Sequence, residues 1–111
     1  MSSAPDGIPR AWRLGITQRH LPSTAAHVAR DALDAGWGTW VRTYFPLGRF
    51  VPIPNFAECT DAIRFVQDWE LDALVLAGGE DVGSSARRDD VERGLLMHAE
   101  HHAWPVLGIC R

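Results

Sequence analysis

The apolar run from Ala73 to Ala77 constrains the fold of this chain more than any other segment. Its five residues, Ala-Leu-Val-Leu-Ala, contain no polar interruption, and Gly78-Gly79 ends the run. A strand with one solvated face alternates apolar and polar side chains, whereas a strand of a parallel sheet is covered by helices on both faces and stays apolar throughout. The run therefore predicts a strand of a parallel α/β sheet that is covered on both faces.

Three other short apolar segments predict further strands of the same sheet. They are Trp12–Thr17, Phe50–Pro54 and Pro105–Ile109. Pro52 and Pro54 each lack the backbone N–H that a strand ladder uses, so Phe50–Pro54 is predicted to lie at an edge. Four strands are therefore expected.

Three amphipathic patterns between these segments predict helices. Apolar residues recur at spacings of three and four over Val28–Tyr44, although two glycines inside that pattern weaken a helix there. A second helix is predicted to begin near Thr60. Asp89 precedes Glu92 by three residues, which is the spacing of a capping box and predicts the start of a third helix.

The alternation of strands and helices predicts a parallel α/β sheet with right-handed crossovers and helices on both faces. A length of 111 residues allows one domain, or part of one. Residues 1–11 combine proline, glycine and serine with almost nothing to bury, so they are predicted to form a disordered lead. Residues 12–111 are assigned to the domain.

Composition excludes several classes of function. The net charge of −3 gives no electrostatic footprint for nucleic acid or an anionic membrane, and all eleven basic residues are arginine. Without lysine, the chain has neither a Walker A loop nor a Schiff-base lysine. Cys59 and Cys110 are too few for a disulfide framework or a cysteine zinc cluster, and Cys59 is interpreted as structural. With no signal-peptide pattern and no long apolar run, the expected compartment is the cytoplasm.

The end of the last predicted strand has the layout of a nucleophile elbow. Cys110 follows an apolar strand and Gly108, so a sharp turn into a helix would lift its thiol above the sheet. The N-terminus of such a helix would lower the thiol pKa. On the neighbouring strand, Gly78-Gly79 would let backbone N–H groups approach a developing oxyanion. The alternative interpretation of Cys110 is a small buried apolar side chain.

Three spaced segments carry a resemblance to known proteins. Leu74–Val82, Arg88–Leu96 and Pro105–Arg111 have the sequences LVLAGGEDV, RDDVERGLL and PVLGICR. With the upstream segments Gly15–Arg19 and Arg30–Asp34, they are similar to class I glutamine amidotransferases, and within these to the γ-glutamyl-γ-aminobutyrate hydrolase-like branch. The resemblance extends over residues 13–111.

That resemblance implies a flavodoxin-like sheet and a Cys-His-Glu triad. Matched residue by residue, Cys110 is the nucleophile, and the backbone N–H groups of Gly79 and Arg111 form the oxyanion hole. The catalytic His and Glu of the family lie well downstream of the nucleophile. The chain is therefore expected to be the N-terminal half of such a domain and to be inactive by itself.

Four residues are candidates for substrate binding because they lie at the carboxyl edge of the predicted sheet: Gln18, Arg19, Gly78 and Asp81. A loop at this edge without any binding function would also carry polar residues. Asp81 equally suits a side chain that stabilises the turn after Gly-Gly.

The expected activity is hydrolysis or transfer of the γ-amide of glutamine or a γ-glutamyl compound through a cysteine thioester. A hydrolase would discard the amine, whereas an amidotransferase would pass ammonia to a synthase domain or subunit, and the sequence leaves both open. No cofactor is expected. His98, His101 and His102 are interpreted as exposed helix histidines rather than a metal site. The alternative function is a non-catalytic α/β half-domain that is inert or binds a partner.

Overall fold

The chain forms four parallel strands with helices on both faces, as a computed structural model describes it for residues 11–109. The elements in chain order are β1 (Arg13–Thr17), β2 (Arg19–Leu21), β3 (Arg30–Ala32), α1 (Gly36–Tyr44), β4 (Arg49–Ile53), α2 (Cys59–Asp68), β5 (Ala73–Leu76), α3 (Ala86–His101) and β6 (Val106–Gly108). The predicted N-terminal lead, apart from Ala11, lies outside the described residues, as do Cys110 and Arg111.

The main sheet has the order β4-β1-β5-β6, and every neighbouring pair in it is parallel. Gly15 in the middle of β1 lies opposite Val51 of β4 and Leu74 of β5. If only the strands of this sheet are numbered in chain order, their order in space is 2-1-3-4. A flavodoxin-like sheet has the order 2-1-3-4-5, so these four strands match its first four positions. The predicted α/β class is confirmed, and so is the edge position of the proline-containing strand β4.

Two apolar cores lie on opposite faces of the sheet. On one face, α2 and α3 bury Val66 and Leu95 against Leu74 of β5. On the other face, α1 packs Val41 with Val75, the next residue of β5. Successive side chains of a strand point to opposite faces, so a continuously apolar β5 supplies both cores. Burying each such side chain contributes roughly 1.5–3 kcal/mol.

Gly15 allows the first core to close over β1. A Cβ at this position would lie 2.7 Å from Ile53 Cδ1 and 2.8 Å from Leu71 Cδ1, both closer than van der Waals contact allows. The absence of a side chain at Gly15 therefore makes room for two apolar neighbours in the core beneath α2 and α3.

The helix predicted over Val28–Tyr44 is wrong in its first half. The helix α1 begins only at Gly36, and Val28 is 77% exposed. The residues before α1 form β3, which pairs antiparallel with β2. Asp31 of β3 accepts hydrogen bonds from the backbone and side-chain nitrogens of Asn55, each at 3.0 Å. These contacts hold the segment in an extended form that the helical spacing does not reveal.

The predicted start of the third helix is also wrong, by about one turn. The helix begins at Ala86, and Ser85 is its N-cap, with the side-chain oxygen accepting from Arg88 N at 3.2 Å. Asp89 instead accepts a hydrogen bond from Gly83 N at 2.9 Å. Glu92 points into the protein, so it cannot complete a capping box with Asp89.

The strand β6 is confirmed where Pro105–Ile109 was predicted, but it is poorly covered. Its register places Leu107 opposite Val75 of β5. Val106 and Leu107 remain 42% and 41% exposed, and Ile109, which directly follows β6, is 42% exposed. Within the described part of the chain, no helix is long and apolar enough to cross a bilayer.

Candidate functional site

The carboxyl ends of β1 and β5 meet where the order of the sheet changes direction. From β1 the chain adds β4 on one side and then β5 on the other. In open α/β sheets, ligands bind in the crevice outside such a switch point. Thr17 ends β1, and Ala77 with Gly78-Gly79 follows β5. We call Gly78-Gly79 the glycine turn.

Thr17 ties the ends of the two strands together. Its hydroxyl accepts a hydrogen bond from Ala77 N at 3.0 Å and donates one to Glu92 Oε2 at 2.8 Å. Thr17 is buried, so its hydroxyl cannot bond to water. The two hydrogen bonds replace the bonds to water that this hydroxyl loses on folding. The end of β5 is thereby attached to both β1 and α3.

Arg88 lies directly beneath the glycine turn. Its Nε donates to Glu92 Oε2 at 3.1 Å, which is the i,i+4 spacing on α3. Its Nη2 donates to the Ala77 carbonyl, and Nη1 and Nη2 both lie 3.4 Å from the Gly78 carbonyl oxygen. The side chains of Arg88 and Glu92 are 1% and 9% exposed. Burying an ion pair costs free energy unless its polar atoms form hydrogen bonds. All three nitrogens of the Arg88 guanidinium donate to protein oxygens.

A second ion pair lies at the surface beside the glycine turn. Arg19 Nε donates to Glu80 Oε1 at 3.0 Å, and its Nη2 contacts the same oxygen. The two side chains are 39% and 40% exposed. The hydrogen bond from Arg19 is the main reason that the pKa of Glu80 falls from an ordinary 4.5 to about 2. The same contact raises the pKa of Arg19.

Gly79 lies between these two ion pairs in a conformation that favours glycine. Its φ is +153°, and a Cβ there would overlap the Arg88 guanidinium and approach Arg19 Cγ to 2.9 Å. Among the described residues, no hydrogen bond is found in which the Gly79 N–H is the donor. Gly79 is an exposed residue, so its N–H is a candidate donor to a ligand.

A cleft of about 230 Å³ adjoins the glycine turn, and its polar lining comes from His20, Glu80, Ser84, Ser85 and Arg88. His20 Nδ1 lies 3.2 Å from Asp31 Oδ1. Burial raises the pKa of the Asp31 carboxyl, but the hydrogen bonds from Asn55 and His20 outweigh it, so the pKa lies below its ordinary value. Asp31 is therefore ionised at neutral pH and fixes the orientation of the His20 ring.

The structure brings Arg19, Gly78 and Gly79 together at the sheet edge, as the sequence predicts. Gln18 faces β4, where its side-chain amide donates to the Ile53 carbonyl at 3.0 Å. Asp81 is exposed, and its backbone carbonyl accepts from Ser84 N at 3.0 Å.

The predicted nucleophile Cys110 and the oxyanion donor Arg111 lie outside the described residues. Ile109, which precedes Cys110, donates its N–H to the Leu76 carbonyl at 2.9 Å. Because Leu76 is the last residue of β5 and Ala77 follows it, the chain before Cys110 runs to the same edge of the sheet as the glycine turn.

Sequence reasoning missed Thr17, Arg88 and Glu92 as members of one buried cluster. A signal for two of them was present, since Arg88 and Glu92 fall in register with Val91, Leu95 and Ala99 on the buried face of α3. Charged residues in register with an apolar stripe point into the protein. Nothing in the sequence pairs them with Thr17, which is 75 positions from Glu92.

The histidines at the end of α3 contact one another and Trp104. The ring centroids of His98 and His102 are 4.1 Å apart, and those of His98 and Trp104 are 5.1 Å apart. Burial, followed by the charges of His102 and His101, lowers the pKa of His98. Between residues 11 and 109, no group of three or more His, Cys, Asp or Glu side chains is arranged to hold a metal ion.

No family model matches the chain, and neither a curated protein nor a solved structure matches it either.

Proposed function

We propose that this chain supplies the nucleophile and the oxyanion hole of a cysteine-dependent amidase. Its substrate is the γ-amide of glutamine or of a γ-glutamyl compound. The observation that carries the proposal is the position of the exposed residue Gly79 at the switch point, beside the strand that precedes Cys110 in the sequence. The resemblance of residues 13–111 to class I glutamine amidotransferases supplies the substrate class.

The reaction forms and breaks one thioester. The Cys110 thiolate attacks the γ-carbonyl carbon, and the carbonyl oxygen becomes an oxyanion that accepts hydrogen bonds from Gly79 N–H and Arg111 N–H. The C–N bond then breaks, and the amine leaves with a proton from a general acid. Water hydrolyses the γ-glutamyl thioester and releases glutamate and the thiol.

The proton carrier of this reaction is the family's histidine, which is expected downstream of Cys110. The five histidines of the given sequence all precede Cys110, so none of them matches that position. The fate of the amine separates two forms of the proposal. A hydrolase releases it, and an amidotransferase delivers ammonia to a synthase.

A second candidate function is a non-catalytic α/β module that binds another protein. The exposed residues Val106 and Leu107 on the edge strand β6, and Ile109 directly after it, favour this function. An edge strand with partly exposed apolar residues is a surface on which another chain can pair or pack.

The reading frame beyond the codon for Arg111 separates the two candidates at once. The amidase predicts Gly-x-Gln directly after Arg111, and a His and a Glu further on. A stop codon at that point contradicts the amidase and favours the binding module.

The reactivity of the cysteine thiols, in a form of the protein whose sequence continues beyond Arg111, tests the assignment of the nucleophile. Cys110 is expected to react with iodoacetamide much faster than Cys59 near neutral pH, and Cys110→Ala is expected to abolish glutamate release from glutamine. The matched control is Cys59→Ala, which removes the partly buried thiol at the start of α2 and should retain turnover. Turnover that survives Cys110→Ala would refute the assignment.

A further inference from the structure

We propose that Arg88 is a positioning residue that fixes the direction of the Gly79 N–H. The inference deepens the proposed function and rests on it, because it treats that N–H as an oxyanion donor. Arg88 does not touch the substrate. It acts through the backbone, because it donates hydrogen bonds to the carbonyl oxygens of Ala77 and of Gly78 in the glycine turn.

The planarity of the peptide bond carries the first step. The Gly78 carbonyl and the Gly79 N–H belong to one peptide unit, and no cis peptide bond occurs in the described residues. In a trans peptide unit the C=O and N–H bonds point in opposite directions. When Arg88 holds the Gly78 oxygen from beneath the turn, the Gly79 N–H must therefore point away from the guanidinium.

The second step is that the guanidinium itself has little freedom to move. Its Nε is held by Glu92 at 3.1 Å, and Glu92 is held in turn by the Thr17 hydroxyl at 2.8 Å. The Arg88 side chain is buried, so water does not compete for these bonds. Arg88 and Thr17 together bind three backbone groups before Gly79, which are the Ala77 N–H and the carbonyls of Ala77 and Gly78.

The third step is the close approach of the two residues. A Cβ on Gly79 would overlap the Arg88 guanidinium, so the cation lies against the backbone of the oxyanion donor. Only a planar guanidinium can bind a carboxylate on one edge and two carbonyls with its terminal nitrogens. A lysine ammonium is a single point of charge and cannot make these contacts together.

Two reactions of the Cys110 thiol test the inference, in a form of the protein whose sequence continues beyond Arg111. Alkylation of Cys110 by iodoacetamide creates no oxyanion, whereas acylation by glutamine does. For Arg88→Lys we expect acylation to fall about 100-fold, the size of effect seen when an oxyanion donor is lost. We expect KM and the alkylation rate to change by less than about 3-fold, since neither depends on that donor. The matched control is Arg93→Lys, an exposed arginine on the same helix. Equal losses in both reactions, or no loss in acylation, would overturn the inference.

The amide resonance of Gly79 gives a readout that needs no activity. In Arg88→Lys we expect the Gly79 amide proton to shift and to exchange faster with solvent, while amides in the middle of β1 keep their exchange rates. An unchanged Gly79 amide would overturn the inference. If the wild type is alkylated at Cys110 but never acylated, the proposed function fails, and the Gly79 amide still decides whether Arg88 positions the turn.

A second pair of variants covers the case in which Arg88→Lys does not fold. Thr17→Val removes the hydroxyl that holds Glu92 and the Ala77 N–H, and Thr17→Ser keeps it. The inference predicts slower acylation and a shifted Gly79 amide in the valine variant, with recovery of both in the serine variant. Identical behaviour of the two variants would contradict it.

Discussion

Two Arg–Glu ion pairs flank the same glycine turn, and they differ mainly in their exposure to water. Arg88 and Glu92 are 1% and 9% exposed, whereas Arg19 and Glu80 are 39% and 40% exposed. In the buried pair Arg88 also donates to the carbonyl oxygens of Ala77 and Gly78, whereas in the surface pair Arg19 donates to the Glu80 carboxylate. The buried pair is thus bonded to the backbone before Gly79, whereas the surface pair remains in contact with water.

The energetic consequences of the two pairs differ for the same reason. Removing one member of a buried pair leaves an uncompensated charge away from water, which is strongly destabilising. Removing one member of an exposed pair leaves a charge that water solvates, so little stability is lost. Substitutions around the turn should therefore produce a graded series of effects.

The largest effect is expected for Arg88→Met. This substitution leaves Glu92 without its arginine and the Ala77 and Gly78 carbonyls without their donor, so the free energy of unfolding should fall by about 3–5 kcal/mol. Urea denaturation measures it. Arg93→Met on the same helix is the control, with an expected change within about 0.5 kcal/mol. Similar losses in the two variants would show that the Arg88 pair contributes no more than a surface arginine.

Gly79→Ala should come next, because the new methyl group meets both ion pairs. Gly79 and Gly83 have φ values of +153° and +98°, but only at Gly79 would a Cβ collide with neighbours. The unfavourable φ alone costs about 1–2 kcal/mol, and overpacking against Arg88 adds about 1–3 kcal/mol. The difference between Gly79→Ala and Gly83→Ala in urea isolates the second contribution. Equal destabilisation would mean that the guanidinium moves aside freely.

Thr17→Val keeps the shape of the side chain but removes the acceptor of the buried Ala77 N–H. The free energy of unfolding should therefore fall by about 1–3 kcal/mol. Thr17→Ser keeps the hydroxyl and should lose clearly less. Thermal unfolding of both variants measures the difference. A serine variant as unstable as the valine variant would assign the effect to the lost methyl group instead of the hydrogen bonds.

The smallest effect is expected for Glu80→Gln, and it should depend on pH. Folding lowers the pKa of Glu80 from 4.5 to about 2, so the pair stabilises the protein above pH 4.5 and loses this contribution as the pH falls towards 2. Urea midpoints of wild type and Glu80→Gln should therefore converge between pH 4.5 and 2. High salt should reduce the difference at neutral pH. A difference that persists at pH 2 would contradict the ionic origin.

Much of the architecture could be predicted because burial leaves a strong local pattern. The apolar run Ala73–Ala77 indicated a strand covered on both faces, and the prolines of β4 indicated an edge. The β2–β3 hairpin could not be predicted in this way. Its strands have three residues each, with no apolar alternation, and Asp31 in β3 is held by Asn55, 24 positions away.

The candidate site was predictable in its surface members but not in its support. Gly78-Gly79 and Arg19 could be located because glycine and polar residues after a strand mark the carboxyl edge of a sheet. Arg88 could not be placed beneath the turn from the sequence, since its register with the apolar residues of α3 shows that it points inwards but not which backbone groups it meets. Its role depends on the approach of α3 to the ends of β1 and β5.

The sequence by itself determined the α/β class, the burial of β5 on both faces, and the edge at which polar residues collect, because hydrophobic periodicity is a property of neighbours along the chain. Only the tertiary structure decided that Thr17, Glu92 and Arg88 form one buried cluster and that Gly79 fits between two ion pairs. Hydrogen bonds between distant segments require particular distances and angles. Such geometry exists only after the sheet and helices have packed together.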